Sequence, residues 1–319
     1  MAFIEVSQVA KTFVTAGGSS LEVLADVSLS VERGEFVSIL GTMGCGKSTL
    51  LKIMAGLVEP DAGRVTIGGE PARGVRLNAA IVFQNYSLLP WFSALENVRL
   101  AVGTAFPEWP RERQRQHAVR YLESVGLGSA VDRRPGQLSG GMRQRVAIAR
   151  AFAIEPELLF LDEPFGALDA LTRDSLQQEL ARLCSVTSRP VTTVMITNSV
   201  EEALLLSDRM LPMTAGPRAS LGTPVAVELA RPRSASELLH DDHAADVRAY
   251  VVASLTEDLR RARAHRDVVR SAGLPPSPGL RRTAVALAEA GQACRRGGPE
   301  GPHYVETRTA LHVVPEIEG

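Results

Sequence analysis

Gly41-Thr42-Met43-Gly44-Cys45-Gly46-Lys47-Ser48-Thr49 lies between two segments of different periodicity. Ahead of it, Phe36-Val37-Ser38-Ile39-Leu40 is an apolar run of the length of a buried strand, and behind it Ser48-Thr49-Leu50-Leu51-Lys52-Ile53-Met54-Ala55 carries helical spacing. Strand, glycine-rich loop and helix in that order set a helix N-terminus, with its partial positive charge, against the loop. Gly41, Gly44 and Gly46 let the backbone wrap inward so that successive N–H groups face phosphate oxygens. Lys47 adds a point charge, and the Ser48 hydroxyl stands where Mg²⁺ takes an oxygen ligand. The stretch predicts an α/β fold with a nucleotide phosphate site.

Two further segments extend that site. Leu158-Leu159-Phe160-Leu161 is an apolar strand ending in Asp162-Glu163, which delivers two carboxylates at its C-terminal edge. Asp162 is suited to hold Mg²⁺ through water and Glu163 to polarise an attacking water, since phosphoryl transfer asks for positioning and charge neutralisation. Without the glycine-rich loop they would read as two solvated acids. Downstream of the loop, Leu138-Ser139-Gly140-Gly141-Met142 opens a helix with apolar Met142, Val146 and Ala149 on one face and arginines elsewhere. Its N-terminus is a second anion site.

In this order and spacing the motifs resemble the nucleotide-binding subunits of ATP-binding-cassette (ABC) transporters over residues 3–225. The resemblance implies ATP and Mg²⁺ as cofactors and a P-loop cassette core with an inserted helical subdomain, about 85–155, and a small antiparallel β subdomain. It makes Gly41, Thr42, Met43, Gly44, Cys45, Gly46, Lys47, Ser48 and Thr49 the phosphate loop. Ser48, Gln84 and Asp162 become the Mg²⁺ ligands, and Glu163 the catalytic carboxylate assisted by Gln84 and Asn198. Phe13 falls where the family keeps an aromatic ring against adenine, and phenylalanine preserves a stacking face. Ser139, Gly140 and Gly141 would complete the site of a second ABC subunit in a head-to-tail homodimer or heterodimer, with Ala167-Leu168-Asp169 crossing the interface.

Asn198 departs from the family, which usually places histidine there to contact the γ-phosphate. Asparagine keeps an amide donor and loses a chargeable imidazole. Two readings follow: a working ATPase with Asn198 as γ-phosphate sensor, or a slow-turnover regulatory or heterodimer partner subunit.

Gln84-Asn85-Tyr86-Ser87-Leu88-Leu89-Pro90-Trp91-Phe92 is either a buried turn or, by the resemblance, part of a groove gripping a membrane permease. The permease, and indirectly an extracytoplasmic solute-binding protein, are then partners. The same stretch, Met142 and 201–209 look like the importer branch for nitrate, nitrite, cyanate, bicarbonate, taurine and other sulfonates. Residues 215–222 lean toward its nitrate-like members.

The 319 residues carry a net charge of −1 and 45% hydrophobic side chains, enough for one large domain and an appendage. No run approaches the roughly 18 apolar residues of a membrane span, and Glu5 interrupts a secretory pattern, so a peripheral place on the cytoplasmic face of the plasma membrane is expected. Cys45, Cys184 and Cys294 lack metal-ligand spacing. A helix N-terminus close to Cys45 favours a lowered thiol pKa, although the residue also reads as filler at a variable position. His240-Asp241-Asp242-His243 reads as a solvated helix start. With one cassette and no long heptads, no nucleic-acid partner is expected. Expected domains are an ABC ATPase domain over 1–225, a helical extension over 226–255 and an Arg/Pro-rich, partly disordered tail over 256–319. The tail's composition suggests one or two arginine-rich helices joined by a Pro-rich linker with a disordered end, and it is either a solvated extension or a contact for an anionic membrane or regulatory partner.

Overall fold

The computed structural model describes residues 2–14, 18–74, 76–186, 190–231 and 233–271. The chain opens with β1 (Ile4–Val14) and β2 (Ser20–Val31), then β3 (Phe36–Leu40), helix α1 (Lys47–Met54), β4 (Ala62–Ile67), β5 (Glu70–Pro71) and β6 (Ala79–Val82). Three helices follow, α2 (Ala94–Ala105), α3 (Arg111–Ser124) and α4 (Gly140–Phe152). Then come β7 (Leu158–Asp162), α5 (Ala170–Val186), β8 (Thr192–Thr197), α6 (Val200–Leu206), β9 (Arg209–Pro212), β10 (Val225–Ala226), α7 (Ala235–His240) and α8 (Asp242–Ser271).

The strands form an antiparallel sheet of order β2-β1-β4-β5 and a larger sheet of order β10-β9-β3-β8-β7-β6, parallel except at β10. Every residue of β3, β7 and β8 is buried, as expected of parallel strands covered on both faces. Side chains that alternate along these strands enter two different cores. Val37, Ile39, Phe160, Val194 and Ile196 join Leu50, Leu51 and Ile53 of α1 and the apolar face of the antiparallel sheet. Leu40, Leu159, Leu161 and Met195 join α2, α3 and α4 through Val98, Leu122, Val146 and Ile148.

Parallel register positions the site. Leu40 pairs with Thr197, and Asp162 with Ile196, so the loop at 41–46, Glu163 and Asn198 all leave the sheet at one edge. Val82 pairs with Leu161, which brings Gln84 to that edge as well.

Helix boundaries have local causes. Ser93 caps α2 in a reciprocal box with Glu96, at 3.2 and 2.7 Å, an arrangement that contributes about 1 kcal/mol. Ala118, Leu122 and Val125 are fully buried and Tyr121 is half-buried, so α3 and its C-terminal cap turn one apolar face to the core. Ser139 caps α4 by accepting from Met142 N–H at 3.2 Å, so Gly140 and Gly141 form its first turn. Asp241 accepts from Ala244 N–H at 2.8 Å at the start of α8, in keeping with a helix start at 240–243. No metal-holding group of His, Cys, Asp or Glu occurs among the described residues. The boundary expected at 255/256 falls inside α8, while 272–319 of the expected tail, with Cys294, lie outside the described residues. Among the described residues no helix is long and apolar enough to cross a membrane.

Candidate active site

Lys47 starts α1, and its side chain turns back under the loop that precedes it. The ammonium is buried and donates to Gly41 O at 2.8 Å, Thr42 O at 3.1 Å and Asn198 Oδ1 at 2.7 Å. Glu163 Oε1 lies 3.8 Å away. Gly46, the N-cap, has φ 112°, and a Cβ there would stand 2.9 Å from both Val23 and Leu24 of β2. Glycine is required by conformation and by space at once. Gly44 is also left-handed, with open space where its Cβ would be.

The two strand-end carboxylates divide. Asp162 is buried, and its Oδ1 accepts from the Ser48 hydroxyl at 3.0 Å. Glu163 adopts φ 44°, a conformation that costs an L-residue about 1–2 kcal/mol. Its N–H is held by Ile196 O at 3.0 Å, and the turn aims the carboxylate at the loop. There Asn198 Nδ2 donates to Oε1 at 2.9 Å and Gln84 Nε2 to Oε2 at 3.4 Å. Lys47, Asn198, Glu163 and Gln84 thus form one hydrogen-bonded run beside the Ser48–Asp162 pair.

Asn198 is steadied from behind. Thr197 donates its hydroxyl to the buried Glu202 at 2.5 Å, and Ser199 caps α6 by accepting from Glu202 N–H at 3.2 Å. Burial pushes the Glu202 carboxyl up, partly offset by the Thr197 hydrogen bond. The Ser199-x-x-Glu202 spacing is a capping signal, but the turn of Glu202 toward Thr197 has no sequence signature.

The other expected residues are distributed around this centre. Thr42 supplies a carbonyl to Lys47, Met43 is exposed, and Thr49 is half-buried in the first turn of α1. Of the two readings of Cys45, filler fits and a lowered thiol pKa does not: the thiol is buried, and desolvation raises its pKa despite the nearby Lys47. Phe13 lies exposed at the end of β1, opposite Leu21, with Lys11 Nζ 5.5 Å from its ring centroid. The segment 139–141 makes its contacts elsewhere, since the Tyr86 hydroxyl approaches Gly140 and Thr172 of α5 packs against Gly141.

Beyond Gln84 the chain borders a cavity of about 260 Å³ lined by Leu77, Leu89, Leu100, Thr104, Arg150 and Ile154. Leu77, Leu100 and the neighbouring Trp91 are more than half exposed, which fits a groove better than a buried turn.

The ABC transporter family profile matches residues 24–166. The nitrate import ATP-binding protein NrtD of Synechococcus elongatus is 47% identical over 77% of this chain and 89% of its own length. The bicarbonate transport ATP-binding protein CmpC of the same organism is 43% identical over 81% of this chain, which spans only 39% of that longer relative. Among solved structures, the dimeric post-hydrolysis state of the ATP-binding cassette MJ0796 bound to ADP and Pi is similar at TM-score 0.63 and 30% identity, covering 71% of this chain and 100% of that one.

Proposed function

The chain belongs to the ATP-binding proteins of ABC transporters, and from that membership we propose that it is the ATP-hydrolysing motor subunit of an anion importer. The observation that carries this reading is the run from Lys47 through Asn198 and Glu163 to Gln84 beside Ser48 and Asp162. Lys47 and the loop N–H groups neutralise the β- and γ-phosphates. Glu163, turned off β7 and oriented by two amide donors, accepts a hydrogen bond from the attacking water and draws its proton as the oxygen approaches phosphorus. Asn198 and Lys47 stand on the side where negative charge develops.

The donor set fits Mg²⁺. A serine hydroxyl and a carboxylate oxygen 3.0 Å apart are hard oxygen ligands, and this ion completes its shell with phosphate oxygens and water. Ser48 and Asp162, with Gln84, would hold it, and it would supply charge neutralisation at the phosphates.

Ser139, Gly140 and Gly141 sit at a capped helix N-terminus whose neighbours are Tyr86 and Thr172 in place of Lys47, which supports their use on nucleotide held by a second ABC subunit. The apolar groove beyond Gln84 suits the short helix of a membrane permease, a contact that would hold this chain at the membrane surface. The nitrate and bicarbonate relatives support a small oxyanion as solute. The amide of Asn198 offers both a donor and an acceptor in place, which favours a working site over slow turnover.

ATP-driven uptake into vesicles carrying the chain with its permease and binding protein tests the assignment. Uptake of nitrate or bicarbonate, abolished by Lys47→Ala, is expected; uptake that persists with Lys47→Ala contradicts it.

A further inference from the structure

Two consecutive non-glycine residues soon after Gln84 have positive φ, Tyr86 at 65° and Ser87 at 44°. Such a pair persists only where its surroundings over-determine it. One side chain does so here. Arg150, in the last turn of α4, donates to Tyr86 O at 2.9 Å and to Ser87 O at 2.6 Å from its two terminal nitrogens. In an extended chain successive carbonyls point to opposite sides, and a planar guanidinium cannot take both. The left-handed turn brings them to one side.

Tyr86 also reaches the other end of α4. Its ring centroid lies 5.5 Å from the Arg143 guanidinium, and its hydroxyl 3.5 Å from where a Cβ on Gly140 would stand. Arg150 meanwhile lines the apolar groove. Among the described residues no carboxylate pairs with it, so its hydrogen bonds to the protein are spent on this loop.

We propose that Arg150 is a positioning residue that makes the loop after Gln84 and helix α4 move as one body, delivering displacement in the groove to Ser139, Gly140 and Gly141. This rests on the reading above, in which the groove takes a permease and those residues complete a second nucleotide site. A lysine keeps the charge but is a compact point donor without the planar fork, and cannot hold both carbonyls in one plane.

Hydrogen–deuterium exchange of the full chain, with and without Mg·ATP, reads this directly. Arg150→Lys breaks the clamp from the helix side. Ser87→Pro breaks it from the exposed loop, because proline fixes φ near −65° and also disfavours the turn at the preceding residue. Ser87→Gly keeps the left-handed turn and serves as control. In wild type and Ser87→Gly, Mg·ATP is expected to slow exchange in both 84–92 and 139–145. In Arg150→Lys and Ser87→Pro, slowing is expected to remain at 84–92 and to fall at least about threefold at 139–145, with ATP affinity within about threefold of wild type. Protection at 139–145 matching wild type in both variants would overturn the proposal, as would loss of ATP binding in both. A wild-type chain that binds no ATP would fail earlier, taking down the nucleotide-site reading and the proposal with it.

Discussion

Asn198 Nδ2 donates to Glu163 Oε1 at 2.9 Å, while Oδ1 of the same side chain accepts from Lys47 at 2.7 Å. One neutral amide therefore serves a carboxylate and an ammonium whose charged atoms lie 3.8 Å apart. An imidazole in that place would have to choose a tautomer or take a proton, whereas an amide offers donor and acceptor at every pH. Asn198→Ala is expected to lower kcat by about 10- to 100-fold with little change in KM, the order of loss seen when one oriented donor is removed. The pH–rate profile of the wild type should show no limb from this position. Asn198→His should add one near the ordinary histidine pKa of about 6.5, measured by steady-state phosphate release.

Gly141 faces Thr172 so closely that an added Cβ would collide with Thr172 Cγ2. Threonine is β-branched and has only two favoured χ1 rotamers in a helix, so that methyl has few places to go. Gly141→Ala should displace the first turn of α4 and reduce ATP-driven association with a second ABC subunit at least about tenfold, while nucleotide binding at 41–49 is kept. Thr172→Ser removes the methyl, so the double variant should recover association by light scattering. Equal loss in single and double variants would show that the contact is not the cause.

The strand-loop-helix around Lys47 was legible because it is written locally, as an apolar run, glycines and a helical repeat. Asp162 and Glu163 were legible as the end of a buried strand. The lateral order of the strands was not, because only pairing over long sequence separations places β3 between β9 and β8 and so sets Asn198 beside Lys47. Arg150 gave no signal, since its partners are main-chain carbonyls presented by a backbone conformation. The arginine-rich composition beyond 255 suggested helix there, and α8 runs to Ser271, but composition gave no sign that this helix is continuous with the one before 255, since good helix formers stand on both sides of that position.

Cys45 shows how tertiary burial overrides a local argument. The helix N-terminus and Lys47 favour the thiolate, yet desolvation is the larger effect and raises the pKa. Burial also pushes the Cys184 thiol up, to about 12. Neither is expected to react with N-ethylmaleimide at about pH 8 faster than roughly one hundredth of the rate of an exposed cysteine. Mapping of the modified peptides by mass spectrometry checks this, and both should label once the chain is unfolded.

His117 packs among Phe106, Trp109 and Tyr121, with its Nε2 3.0 Å from Ala153 O. Burial lowers its pKa below 6.5, assisted by Arg120 and Arg113 and opposed by the Ala153 carbonyl and Glu155. The unfolded chain therefore takes the proton first as pH falls. The stability contributed by neutral His117 is present above 6.5 and is lost as pH drops through the lowered folded value. Tm should fall between about pH 7.5 and 5.5, and His117→Gln should flatten that fall by about 2 °C or more in calorimetric scans.

The most direct test of the central claim is steady-state ATP turnover by the purified full chain, wild type against Glu163→Gln, with ATP affinity measured on both. Turnover in the wild type that falls at least about a hundredfold in Glu163→Gln, with ATP affinity preserved, is the predicted result. Unchanged turnover in Glu163→Gln would contradict the assignment of Glu163 as the group that activates water.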